Sequence, residues 1–421
     1  MSTLLAGARQ VVTCRGPARA RRGPEMADLE VLTDAGVVIG DDGMIVAVGP
    51  LADLERAHPK AEVVGVEGVL FPGFVDAHTH AVFGGPRLAD HERRARGDDY
   101  QAIAEAGGGI LSSVRDLRAR TAADLAERTR RRLAFLLAQG TTTVEVKSGY
   151  GLSVADELRS LEILGPLRDG IPDVIPTFLG AHEVPEEFRP DRAGYVRHVM
   201  ADMLPAVAAQ GMARFCDVFC EPGVFTVAES RAILQAGRAL GLGAKIHADE
   251  LDGSGGAELA AELGAVSADH LARISEAGIA ALAGSPTVAV LLPGTMLFLG
   301  RREQAPARAL IAAGAAVALA TDFNPGSSPG VSLPLMAMLG VSQLRMHPAE
   351  AVIAITVNGA AALGEAKTRG QLTPGFRADL VLLAVDNWRE LPYWYGGSLV
   401  RGIWVRGMAC HPPGPPVNSI A

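Results

Sequence analysis

The sequence predicts an α/β fold: a (β/α)8 TIM barrel carrying a small β-domain built from both termini. Three observations predict it. Eight short apolar runs alternate with helical stretches between residues 70 and 363. Short β-like segments lie on both sides of that region. Most of the runs lead into a histidine or an acidic residue, as strands do where they open on the catalytic mouth of a barrel. The expected division is 1–68 for the N-terminal part of the β-domain, 69–365 for the barrel and 366–421 for the C-terminal part of the β-domain.

Along residues 1–68, Val37-Val38-Ile39 and Met44-Ile45-Val46 flank Gly40-Asp41-Asp42-Gly43, a Gly/Asp turn of the hairpin kind. The basic stretch Arg15 to Arg22 contains Pro17 and reads as a solvated loop, because the rest of the chain is acidic. The barrel runs are 70–77, 143–146, 174–180, 215–219, 244–246, 265–268, 288–292 and 316–320. Between them lie stretches such as 124–139 and 230–240, with apolar residues every three or four positions, the helical period. A Pro374-Gly375 turn follows, and 379–384 and 399–405 read as strands. Two-stranded pieces are marginal alone, so the two β-rich ends are expected to pair.

Composition narrows the function classes. At 421 residues, with 48% hydrophobic and 20% charged residues, the chain has the makings of a large core and is too apolar for disorder. A net charge of −8 offers no basic footprint for nucleic acid. Four cysteines are too few for a disulfide scaffold, and Cys14, Cys216, Cys220 and Cys410 are expected as buried thiols. No apolar stretch reaches the roughly 20 residues of a membrane span. The start, with arginines after its short apolar run, is unlike a secretory signal. A cytoplasmic protein that engages neither membrane nor nucleic acid is expected.

The polar residues at the run ends carry the chemistry. The first run leads into His78-Thr79-His80, the third into His182, the fifth into His247, the sixth into His270 and the eighth into Asp322. Parallel barrel strands open on one mouth, so these residues converge. His78 and His80 are two apart and face the same side of an extended chain. Of only ten histidines, five lie at these ends, which argues against accident. His78, His80, His247 and Asp322 offer three imidazoles and a carboxylate, a set suited to Zn²⁺ or Fe²⁺ rather than Mg²⁺ or Ca²⁺. Such an ion lowers the pKa of bound water toward about 7.

The run Phe71-Pro72-Gly73-Phe74-Val75-Asp76-Ala77-His78-Thr79-His80 resembles the entry motif of the amidohydrolase superfamily. Longer segments are similar to the imidazolonepropionase family of histidine degradation. They are 78–85, Glu145-Val146-Lys147-Ser148-Gly149-Tyr150-Gly151-Leu152, 178–182, 217–221, 247–250, 268–271 and Ala320-Thr321-Asp322-Phe323-Asn324-Pro325-Gly326-Ser327. The His-x-His pair marks only the superfamily, whereas the runs from Glu145 and from Asp322 are far more specific. The resemblance implies a distorted barrel with a β-sandwich-like domain from both termini, in a homodimer. It implies a hydrolase with a small-molecule substrate: water opens the ring of 4-imidazolone-5-propanoate to N-formimidoyl-L-glutamate. It also implies one Zn or Fe ion per chain. Dinuclear relatives carry a lysine on the fourth strand, and here that strand ends at Cys220-Glu221. Lys147, after the second run, reads as structural or as a support to the site.

The resemblance places the propionate tail on Arg87 and Tyr150, since a guanidinium takes a carboxylate bidentately. It places His182 and Glu250 on the ring. Asn324, Gly326 and Ser327 form a turn that orients ring or product. His270 is expected to accept the proton of the attacking water. It is alternatively a further ligand, with Asp322 or Glu250 as the base. Gly107-Gly108-Gly109 has no following Lys-Ser/Thr and reads as a mobile loop at the mouth, not a phosphate loop. The competing functions are another amidohydrolase, either a deaminase or a cyclic amidase, and a metal-free structural protein on the same barrel. A neutral base substrate would not need Arg87 and Tyr150, and the intact His78, His80, His247 and Asp322 count against a metal-free role.

Overall fold

The computed structural model describes residues 2–98, 102–103, 106–165, 167 and 172–411. The last residues of the expected C-terminal segment lie outside the described residues. The N-terminal part supplies β1 (Thr3–Ala8), β2 (Gln10–Val12), β3 (Val31–Leu32), β4 (Ala35–Ile39), β5 (Ile45–Pro50), β6 (Glu62–Gly65) and β7 (Val69–Pro72). The barrel strands are β8 (Phe74–Asp76), β9 (Thr141–Lys147), β10 (Asp173–Ala181), β11 (Phe215–Cys220), β12 (Gly243–Ala248), β13 (Ser267–His270), β14 (Val288–Leu291) and β15 (Ala316–Leu319). The chain ends with β16 (Leu380–Leu383), β17 (Val400–Val405) and β18 (Met408–His411).

β8 to β15 form one parallel sheet in sequence order. A Thr79–Phe323 bridge beyond the ends of β8 and β15 nearly closes it into a barrel. The termini make two further sheets, ordered β5-β4-β1-β6 and β18-β17-β16-β7-β2-β3. Their facing sides share one core: Leu5, Val37, Ile39 and Ile45 from the first meet Val11, Leu70, Leu380, Leu382 and Trp404 from the second. That is the sandwich arrangement. The hairpin at Gly40–Gly43 is present, with Gly43 at φ 76° and the Gly40 N–H donating to the Met44 carbonyl at 2.8 Å.

Three expectations need correction. The run 70–77 is not one barrel strand. The Gly73 N–H donates to Asp379 in the terminal region, whereas the next N–H, of Phe74, donates to Gly140 in the barrel. A Cβ at Gly73 would lie 2.1 Å from Thr142 Oγ1, so only glycine allows this close transfer between sheets. The stretch Arg15 to Arg22 is not simply solvated. Arg21 is 2% exposed, and its guanidinium donates to the Cys14 carbonyl. Arg22 donates to carbonyls at Ser285 and Gly314, just past the ends of helices Glu276–Ala283 and Ala307–Ala312. Arginines bind such uncapped carbonyls well. Finally, Cys14, Cys216 and Cys220 are buried, but Cys410 is exposed because β18 is an edge strand.

The helices cover the barrel as their period requires. Ala122–Ala138 starts at Thr121, whose side chain accepts from the Asp124 N–H, and it buries Leu125, Thr129, Leu133, Leu136 and Leu137. Val227–Ala239 begins three residues earlier than its apolar pattern suggests, at a Thr226/Glu229 capping box. Among the described residues, no helix is long and apolar enough to cross a membrane.

Candidate active site

The site grows out of the alternation along the barrel strands. On β11, Cys216, Val218 and Cys220 pack outward against the helices, so Asp217 takes the opposite, inner face. On β12, Ala244, Ile246 and Ala248 pack outward, which turns Lys245 and His247 inward. β9 likewise packs Val144 and Val146 outward and turns Glu145 and Lys147 in. The inner face of these strands thus carries buried polar groups that climb toward the mouth.

At the top stand His78, His80, His247 and Asp322, all 3% exposed or less. The Nε2 atoms of His78 and His80 are 3.2 Å apart, and those of His80 and His247 are 3.4 Å apart. Asp322 Oδ1 lies 3.4 Å from His78 Nε2 and 3.5 Å from His80 Nε2. Tetrahedral coordination with bonds of 2.0–2.1 Å spaces its ligand atoms about 3.4 Å apart. Protonation agrees with this. His78 Nδ1 faces Asp269 Oδ2 at 2.6 Å, and His247 Nδ1 faces Asp217 Oδ2 at 3.1 Å. Each Nδ1–H donates to its carboxylate, which leaves an Nε2 lone pair directed at the others. Acceptors converging in this way repel unless a cation lies between them, so these residues fit a metal ion. Burial first, then nearby positive groups, holds His78 and His80 well below the ordinary imidazole range, which keeps them neutral as ligands must be. His78, His247 and His270 form a second set with ligand atoms within 4.8 Å of one another.

Backbone geometry sharpens the mouth. His270 (φ 79°), Leu271 (φ 62°) and Asp322 (φ 51°) are left-handed without being glycine. Such residues cost energy and concentrate where function requires them. The chain turns abruptly there and leaves the side chains over the barrel.

Above this group opens a cavity of about 370 Å³. Arg87, Tyr150, His182, Glu250, His270, Asn324, Gly326 and Ser327 all line it together with His80, His247 and Asp322, whereas His78 lies beneath its floor and does not line it. Arg87, half of the expected tail clamp, is largely buried; among the described residues its Nε has no hydrogen-bond partner, and it pairs with Asp90 at 3.8 Å. Gly326 lies against it: a Cβ there would sit 1.7 Å from Arg87 Nη2. The Asn324 amide is committed to its own turn. Its Nδ2 donates to Asp322 O at 2.7 Å, and its Oδ1 accepts from the Gly326 and Ser327 N–H groups at 2.8 Å. His182 donates its Nδ1–H to the Gly149 carbonyl, 2.9 Å away, and stacks on His80. Burial and the neighbouring His247 push it down to about 3.

Glu250 faces His270, with Oε2 3.5 Å from Nδ1. Burial, then the carboxylates Asp322 and Glu221, pushes its carboxyl well above the usual range. Asp322 is raised to about 6, by burial, against the opposing hydrogen bond from Thr295. Gly109 also lines the cavity, and its N–H is held by Asp90 Oδ2 at 2.9 Å.

Several functional neighbours were not assigned a role from sequence. Asp217 and Asp269 orient two of the histidines. Glu221 accepts from the N–H groups of Leu251 (3.1 Å) and Asp252 (3.2 Å) and shapes the loop that carries Glu250. Thr295 donates to Asp322 Oδ2 at 2.7 Å. The available signal was charge inside strands: an Asp, Glu or Lys amid an apolar run is buried and needs a partner.

A nearly closed eight-stranded barrel with His-x-His beyond its first strand, and histidines and an aspartate at later strand ends, defines the amidohydrolase class. The Amidohydrolase family model matches residues 69–408, and a bacterial imidazolonepropionase-like composite domain matches residues 41–61. An imidazolonepropionase of Solibacter usitatus is 47% identical over 410 residues, covering 97% of this chain and 98% of its own. One of Geobacillus thermodenitrificans is 48% identical, covering 92% and 93%. The chain belongs to the imidazolonepropionase family of amidohydrolases. Solved structures agree on the fold alone. An adenosine deaminase of Xanthomonas campestris aligns with a TM-score of 0.68 at 21% identity, covering 97% of this chain and 92% of its own. A guanine deaminase of C. acetobutylicum aligns at 0.70 and 13%, covering 97% and 100%.

Proposed function

We propose that the protein hydrolyses 4-imidazolone-5-propanoate to N-formimidoyl-L-glutamate in histidine degradation. The observation that carries this is the buried Arg87 guanidinium, with an unpartnered Nε, in the same cavity as the His/Asp group. A largely buried cation whose carboxylate neighbour among the described residues, Asp90, stands 3.8 Å away is only loosely paired, and a substrate carboxylate supplies a close partner. Arg87 and Tyr150 hold the propionate, and His182 and Glu250 hold the ring. One zinc or iron ion per chain, held by His78, His80, His247 and Asp322, would polarise the ring carbonyl and acidify a water.

Asp322 has both oxygens engaged, Oδ1 toward the imidazoles and Oδ2 with Thr295. This favours His270 as the group that takes the water's proton. Glu250, beside His270 Nδ1, relays a proton to the leaving ring nitrogen as the C–N bond breaks. Asn324, Gly326 and Ser327 keep the Asp322 turn and Arg87 in place for ring and product. A homodimer and a cytoplasmic location belong to the same reading.

The test is turnover of enzymatically generated 4-imidazolone-5-propanoate, read as loss of ring absorbance and appearance of N-formimidoyl-L-glutamate. Arg87→Met should lower kcat/KM by about 10-fold or more, as expected for a charge-assisted pair of roughly 1.5–3 kcal/mol. Release of ammonia from a neutral purine, with no action on the imidazolone, would instead make the protein a deaminase.

A further inference from the structure

Directly beneath the four-ligand group lies a fully buried ladder of charges: Glu145, Lys147, Asp217, Lys245 and Asp269, each 0% exposed. Lys147 Nζ lies 2.6 Å from Asp217 Oδ2, 3.4 Å from Asp269 Oδ2 and 3.0 Å from Glu145 Oε2. Lys245 Nζ lies 2.7 Å from the same Glu145 oxygen and donates to the Ala77 carbonyl at 3.1 Å. Lys245 acts on Asp269 through its charge, but of the two ammonium groups only Lys147 lies within ion-pair distance of Asp217 and Asp269. Those carboxylates receive the Nδ1–H of His247, on β12, and of His78, two residues past the end of β8.

We propose that Lys147 is a positioning residue: its one ammonium holds Asp217 and Asp269 together, and so aims the Nε2 atoms of His247 and His78 at a common metal ion. This rests on the site being a metal centre, as argued above. The physical reason is direct. Two carboxylates this close repel, and in a dry interior that repulsion is strong. A cation between them fixes both rotamers, and each rotamer fixes one imidazole. Burial alone would lower the Lys147 ammonium, but Asp217, Glu145 and Asp269 outweigh it and raise it, so the cation persists across the working range.

Charge balance separates positioning from simple neutralisation. With three carboxylates and two ammonium groups, the ladder carries a net charge of −1. Lys147→Met alone leaves −2. Lys147→Met with Glu145→Gln returns the ladder to −1 but still lacks the clamp. The experiment measures zinc affinity by chelator competition, and the visible spectrum of the cobalt(II)-substituted protein, for wild type and both variants. Positioning predicts zinc binding about 10–100-fold weaker in both variants, together with an altered cobalt spectrum. Wild-type affinity and spectrum in the double variant would overturn the proposal. If the variants fold only with zinc, the zinc concentration at half-folding reads the same affinity. Failure to fold at any zinc concentration would assign Lys147 to the fold and equally overturn it. A wild-type protein that binds no ion would sink the metal-centre reading itself, a result distinct from either.

Discussion

At the scale of single residues, the arrangement of Arg87 and Gly326 makes a sharp demand. The guanidinium occupies the volume that any side chain at position 326 would need. Gly326→Ala should therefore displace Arg87 and raise KM while leaving kcat and metal content near wild type. An unchanged KM would mean that the propionate binds elsewhere. His270→Ala separates two roles. As proton acceptor, its loss should lower kcat by about 10²–10⁴-fold with metal content retained; loss of metal in step with activity would make it a ligand. Histidines at strand ends were legible because barrel topology alone converts sequence position into proximity. Asp217 and Asp269 were not assigned roles, because a carboxylate within an apolar strand declares its partner only when distant strands are brought together.

At the scale of elements, Asp173 at the start of β10 joins the barrel to the terminal domain. It pairs with Arg377 at 2.9 Å and also with Arg369 and Arg406. Burial opposes ionisation here, but Arg369 and Arg377 outweigh it and hold the carboxyl down to about 2, from 3.8. Because the folded pKa is depressed, the stabilisation is present above pH 3.8 and is lost as pH falls through about 2. Asp173→Asn should cost about 1–2 kcal/mol at neutral pH, after allowance for solvent screening. The difference from wild type in thermal unfolding should shrink toward pH 2. A constant difference across that range would mean that packing, not charge, is responsible. The barrel strands were legible from their apolar runs. The break at Gly73 was not, since apolar residues flank it on both sides and only the change of hydrogen-bond partner marks the boundary.

At the scale of the whole molecule, the terminal sandwich braces the bottom of the barrel, and the strand ends gather the chemistry at the top. The pairing of both termini was legible, because neither β-rich end is stable alone. The burial of Arg21 and Arg22 against helix ends was not, because a basic run reads as solvated until carbonyls are found to receive it. In the proposed function, one ion in the His78, His80, His247 and Asp322 group drives ring opening. The direct measurement is kcat/KM for 4-imidazolone-5-propanoate against zinc or iron bound per chain, by elemental analysis. Activity should rise in proportion and saturate at about one ion per chain. Saturation only at two ions, or undiminished turnover in metal-free protein, would contradict the account.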